Sequence, residues 1–169
     1  MERRISFEWA MNKCMELASR GEVCSFDIEQ KLKRWGLATN DIDKIIDRLI
    51  DEKYVDNQRY AEAYVRDKTR FNHWGRIKTT MMLRQKRISQ TTINKAFDEL
   101  NDNDYYAAME HELLKKMRQH KALPKFERNQ KSAYYVIQKG FEPLLVFDSI
   151  SKTEKLLDEE ECSSPNDYE

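Results

Sequence analysis

Residues 40–53, NDIDKIIDRLIDEK, decide the fold class. Ile42, Ile45, Ile46, Leu49 and Ile50 fall at i, i+3, i+4, i+7 and i+8, one apolar stripe of a 3.6-residue period. Asp41, Asp43, Lys44, Asp47, Arg48 and Asp51 occupy the opposite face. Thr39 or Asn40 can cap the start, and Asp41 and Asp43 suit the positive end of the helix dipole. The stretch predicts an amphipathic helix.

Working outward, a shorter helix is predicted over about 26–35, with Ser25 as cap, Ile28, Leu32 and Trp35 as stripe and Gly36 as stop. An earlier one covers about 6–20 and ends at Arg20-Gly21. The same order then recurs, with helices predicted over 57–71, from Gly75 to Arg87 and from Ser89 to Leu100. Residues 103–120 open a third round, and Pro124 and Pro143 stand where the next helices would begin. Leu32, Leu83 and Val136 are spaced by 51 and 53 residues, as are Leu37, Ile88 and Phe141, and Ile42, Ile93 and Val146. A fixed register of this length predicts a tandem array. The expected fold is all-α, with three three-helix modules at 1–54, 55–101 and 102–152 in an elongated, curved array. Residues 153–169 lack an apolar stripe, and Asp158-Glu159-Glu160-Glu161 followed by Ser163-Ser164-Pro165 predicts a disordered acidic tail.

Composition agrees. Charged residues are 36% of the chain, too many for a thick single core, and 4 Gly with 3 Pro are too few for a turn-rich β fold. Three cysteines, Cys14, Cys24 and Cys162, are no disulfide framework and suggest a reducing compartment. Cys14 and Cys24 read as small core or surface residues. With no secretory signal and no apolar run long enough to span a bilayer, a soluble cytoplasmic protein is expected.

The formal net charge is +0, but it is segregated. Residues 57–95 hold ten Lys or Arg against two acids, residues 113–140 eight against one, and residues 154–169 seven acids against one Lys. The middle of the chain should therefore attract polyanions, with binding driven by counterion release. Arg66, Arg70, Arg76, Lys78, Arg84, Lys86 and Arg87 are the expected contacts, since ordinary solvated helix faces mix signs. Tyr60, Tyr64, Phe71 and Trp74 run among them and could stack on bases, although Tyr60, Tyr64 and Phe71 also fit a core stripe.

Catalytic signals are nearly absent. His73, His111 and His120 stand apart from one another and from the cysteines, and no Cys-x-x-Cys, His-x-x-x-His, Gly-rich phosphate loop or G-x-S-x-G elbow occurs. No catalytic residue, metal or cofactor is expected, and the chain reads as a binding protein.

The stretch Tyr54 to Ala61 reads as a joint between modules, with Asp56 capping the next helix and Tyr54 and Val55 packing as a staple. Tyr54, Asp56, Arg59 and Tyr64 are the expected joint residues. The run Lys53-Tyr54-Val55-Asp56-Asn57-Gln58-Arg59-Tyr60-Ala61, then Ala63-Tyr64-Val65-Arg66, Gly75-Arg76-Ile77 and Leu83-Arg84-Gln85-Lys86-Arg87-Ile88-Ser89, resembles the RecX family of recombinase regulators. Ala18-Ser19-Arg20, Ser25 and Leu32 to Leu37 fit its first module. The resemblance covers about residues 8–100 well and 103–152 loosely. Asn57 stands where the family pattern has a second Asp, and Arg87 where it has a turn glycine, a position where a side chain is less comfortable. The resemblance implies a non-enzymatic monomer of tandem three-helix modules. It would bind in the groove of the RecA filament on single-stranded DNA and limit recombination, ATP hydrolysis and coprotease action, within DNA repair and the SOS response. A sequence-neutral module binding single- or double-stranded DNA, without specific RecA contact, is the alternative.

Overall fold

The computed structural model describes residues 5–163, with side chains as far as 160. These residues form nine helices and no strand. They run α1 Phe7–Arg20, α2 Ser25–Arg34, α3 Thr39–Asp51, α4 Asn57–Asn72, α5 Arg76–Gln85, α6 Gln90–Asp98, α7 Asp102–Gln119, α8 Lys125–Gln138 and α9 Pro143–Ser163. The register is visible in them: α3, α6 and α9 begin at Thr39, Gln90 and Pro143, spaced by the same 51 and 53 residues that separate Leu32, Leu83 and Val136. Those three apolar residues are each 0% exposed.

The second helix of each round ends on a residue in the left-handed region: Gly36 at φ 78°, Arg87 at 58° and Gly140 at 92°. The reversal lets the amide beyond it reach back over the last turn, Leu37 to the Leu32 carbonyl at 3.3 Å and Ile88 to that of Leu83 at 3.1 Å. Local sequence placed two helix starts one residue late. Ser25 and Thr39 are the first helical residues, and Cys24 and Ala38 precede them without side-chain caps.

The chain divides into two compact units, and the middle round contributes to both. The first unit is the described part of Met1–Tyr64 together with Met82–Glu99. Its core gathers Ala10, Met11, Cys14, Ile28, Leu32, Ile42, Ile45, Leu49 and Val55. Ile50, counted in the α3 stripe, is 44% exposed, because the α3 face buried here is narrower than the five-residue stripe. Cys14 and Cys24 are free thiols buried in this unit; removal from water pushes the Cys14 thiol up to about 11, so it stays protonated.

The second unit is Val65–Met81 with the described residues from Leu100 onward. Its core is Tyr105, Ala108, Met109, Leu113, Met117, Ala133, Val136, Phe141, Val146 and Leu157. Leu157 corrects one expectation: residues 153–163, taken for the start of a disordered tail, are the last turns of α9. Thr153, Glu154 and Leu157 are buried, and Glu154 accepts hydrogen bonds from Asn129 at 2.7 Å and Arg128 at 3.3 Å on α8. Burial alone would raise the Glu154 carboxyl, but the Asn129 bond and the Lys125 and Arg128 cations more than offset this and hold it below the usual range. The rest of the expected tail, residues 164–169, lies outside the described residues.

Candidate nucleic-acid interface

In the first unit, α4 starts from a built corner. Asp56 Oδ1 accepts from the amides of Gln58 at 2.8 Å and Arg59 at 3.0 Å, the contacts of an N-cap. Arg59 turns back and donates to Glu22 Oε1 at 2.8 Å and to the Lys53 carbonyl at 3.3 Å. Tyr54 packs against the core, and Tyr64 lies 5.8 Å from the Tyr60 ring. Asn57 makes the contact that an aspartate could not. Its Oδ1 accepts from the Ser25 amide and its Nδ2 donates to Ser25 Oγ, both at 2.9 Å, so one amide group serves the open start of α2 in both directions.

The cations split into two kinds. Lys86 donates to both carboxylate oxygens of Asp27 on α2, at 2.7 and 2.6 Å. Burial lowers its ammonium pKa, but Asp27 outweighs this and holds it above the ordinary lysine value. Arg87 reaches Glu29 at 3.0 Å and lies 5.0 Å from the Phe26 ring. Arg84 meets Gln90 Oε1 at 3.0 Å, a neutral partner that leaves its charge uncompensated.

In the second unit, Arg76 stands at the start of α5. It donates to Asp102 at 3.2 Å, lies 3.7 Å from Glu142 and covers the Tyr105 ring at 4.6 Å. The Tyr105 hydroxyl accepts from the Arg76 amide at 3.0 Å and donates to Glu142. Burial and the Glu142 carboxylate push that phenol far up, so it remains a donor. Lys78 lies 4.3 Å from the Trp74 ring and Lys68 4.9 Å from it. Trp74 is thereby engaged by ammonium groups. Arg66 and Arg70, four residues apart on α4, point into solvent. Arg66 is 3.5 Å from its neighbour Asp67, and Arg70 is 4.0 Å from Asp104. Phe71 beside them is 72% exposed, so it belongs to the surface and not to the α4 core stripe.

The N-terminus of α5 is fixed by backbone. Gly75 N–H donates to the Lys139 carbonyl at 2.9 Å and Ile77 N–H to that of Gly140 at 3.0 Å. A Cβ on Gly75 would stand 2.2 Å from the Gly140 backbone, and one on Gly140 would stand 2.3 Å from Lys78 Cβ. Both positions need glycine for close approach.

The structure also brings together two histidines that stand apart in the sequence. The rings of His73 and His111 are 4.7 Å apart, and His73 Nδ1 is 2.7 Å from Glu112 Oε1.

The family described as "RecX, second three-helix domain" matches residues 56–96. A regulatory protein RecX of Streptococcus uberis is 33% identical over 111 residues, 65% of this chain and 42% of that protein. One of Neisseria meningitidis is 25% identical over 130 residues, 77% of this chain and 81% of its own length. The chain thus spans under half of the streptococcal relative and most of the neisserial one. The crystal structure of RecX from Lactobacillus salivarius superposes with a TM-score of 0.75 at 21% identity, covering 90% of this chain and 96% of that one. That likeness shows a shared fold.

Proposed function

The chain belongs to the RecX family, and on that premise we propose that it is a regulatory protein that binds the RecA nucleoprotein filament and restrains its recombinase, ATPase and coprotease activities, affecting DNA repair and recombination. The observation that carries the reading is the separation of cations into two kinds. Arg76, Lys86 and Arg87 spend their charge on Asp102, Asp27 and Glu29. Arg66, Arg70 and Arg84 stay exposed with weak, distant or neutral partners. Exposed cations that no carboxylate holds closely suit a phosphate backbone or an acidic protein surface. Among the described residues no helix is long and apolar enough to cross a membrane.

ATP hydrolysis by RecA assembled on single-stranded DNA should slow as the protein is added, in proportion to filament. An unchanged rate at stoichiometric amounts would rule this reading out. The basic excess also supports sequence-neutral DNA binding without specific RecA contact. Under that alternative, Arg66→Glu, Arg70→Glu and Arg84→Glu together lose RecA inhibition in step with DNA affinity. Inhibition that outlasts DNA binding supports the filament.

A further inference from the structure

We propose that His73, His111 and Glu112 form a transition-metal site suited to Zn2+, beyond the filament-binding role. Each offers one ligand atom, and the three atoms lie within 4.8 Å of one another. Two imidazoles and a carboxylate are a ligand set that zinc accepts, with a fourth position left for water. Tetrahedral bonds of about 2.0–2.1 Å put ligand atoms roughly 3.3 Å apart, so only a modest closure is needed. His111 is exposed and its ring can turn to supply it.

The carboxylate is the unusual member. The Glu112 side chain is 3% exposed, and its Oε1 already serves His73 at 2.7 Å and Lys139 at 3.3 Å. Its Oε2 is buried and has no hydrogen-bond partner. A buried carboxylate oxygen without a partner is costly, and a cation is a partner that would satisfy it. Lys139 is the opposing group: its ammonium stands beside the same carboxylate and repels an incoming ion. The ligands come from the residue after α4 and from α7, so a bound ion would clamp these two elements of the second unit.

The 169-residue chain, freed of metal by chelation, is titrated with Zn2+ by calorimetry, with Mg2+ as the hard-cation control. One Zn2+ per chain and no Mg2+ response are expected. His73→Ala and His111→Ala each weaken binding by about tenfold or more, and Lys139→Gln tightens it. His111 is exposed, so its variant keeps the native helical circular dichroism and remains a fair test. Co2+ should give visible d–d bands that His111→Ala loses. No Zn2+ binding, an affinity equal to the parent's in either histidine variant, or unchanged or weaker binding in Lys139→Gln would each overturn the site.

Discussion

Arg87 shows what a single residue resolves when backbone and side chain disagree. Its backbone adopts φ 58°, where Gly36 and Gly140 stand in the other rounds, and a side chain there costs roughly 1 kcal/mol or more. The guanidinium offsets this by reaching Glu29 and Phe26. Replacing Arg87 by Ala or by Gly removes the same contacts, so their difference isolates the backbone. Arg87→Gly should be more stable than Arg87→Ala by about 1 kcal/mol, read from urea unfolding midpoints. Equal midpoints would mean that the turn relaxes when the guanidinium is gone. Glu112 carries the residue-scale pH dependence. Burial alone would raise its carboxyl, but His73 and Lys139 outweigh burial and hold it below the usual range. A lowered folded pKa gives stability that is present above the unfolded value of about 4.3 and fades as pH falls through the folded one. Melting temperature should therefore drop on acidification below that value, and drop less in Glu112→Gln, whose starting stability is lower. The turn at Arg87 was legible in the sequence as a departure from the family pattern, which has a turn glycine there. The Glu112 cluster was not, because α4 and α7 must pack before His73 meets its partners.

The elements show why the repeat could be read and where reading stopped. Period-3.6 apolar spacing is a local signal, and the register of 51 and 53 residues reappears in the starts of α3, α6 and α9. The last turns of α9 escaped because Leu157 is a single buried apolar residue close to a run of acids. Its burial depends on α7 and α8, and Glu154 is held by Asn129 and Arg128 far upstream. The junction of α5 with the end of α8 was likewise invisible. Gly75 read only as the start of a helix, yet it and Gly140 let backbone approach backbone. Since a Cβ on Gly75 would lie 2.2 Å from the Gly140 carbonyl group, no flexible side chain can move aside. Gly75→Ala should therefore cost about 1–3 kcal/mol, as overpacking does. Hydrogen exchange at the Gly75 and Ile77 positions should rise with it, since their amides donate across this contact. A variant as stable as the parent with those amides still protected would show that the junction yields without loss.

Over the whole molecule, charge counting located the basic middle but could not sort its members. Lys86 meets Asp27 across 59 residues and Arg87 meets Glu29 across 58, distances at which sequence carries no pairing information. The consequence is a separation between two observables. Arg66, Arg70 and Arg84 should govern affinity, and the Lys86–Asp27 pair should govern stability. For single-stranded DNA each phosphate contact contributes about 0.7 to the slope of log affinity against log salt. Changing the three exposed arginines to Gln should thus reduce that slope by about 2 while leaving the thermal midpoint nearly unmoved, because surface charges of this kind contribute little to folding. Lys86→Gln should do the reverse. It removes the two Lys86–Asp27 hydrogen bonds that tie α2 to the end of α5, so the midpoint falls, yet it removes no fully exposed charge and the salt slope stays close to that of the parent. Fluorescence anisotropy on a labelled oligonucleotide across a salt series, run beside thermal melts of the same variants, reads both quantities. A slope that falls equally in the Lys86 variant would show that this ammonium leaves Asp27 for phosphate when DNA binds, and would add Lys86 to the contacts.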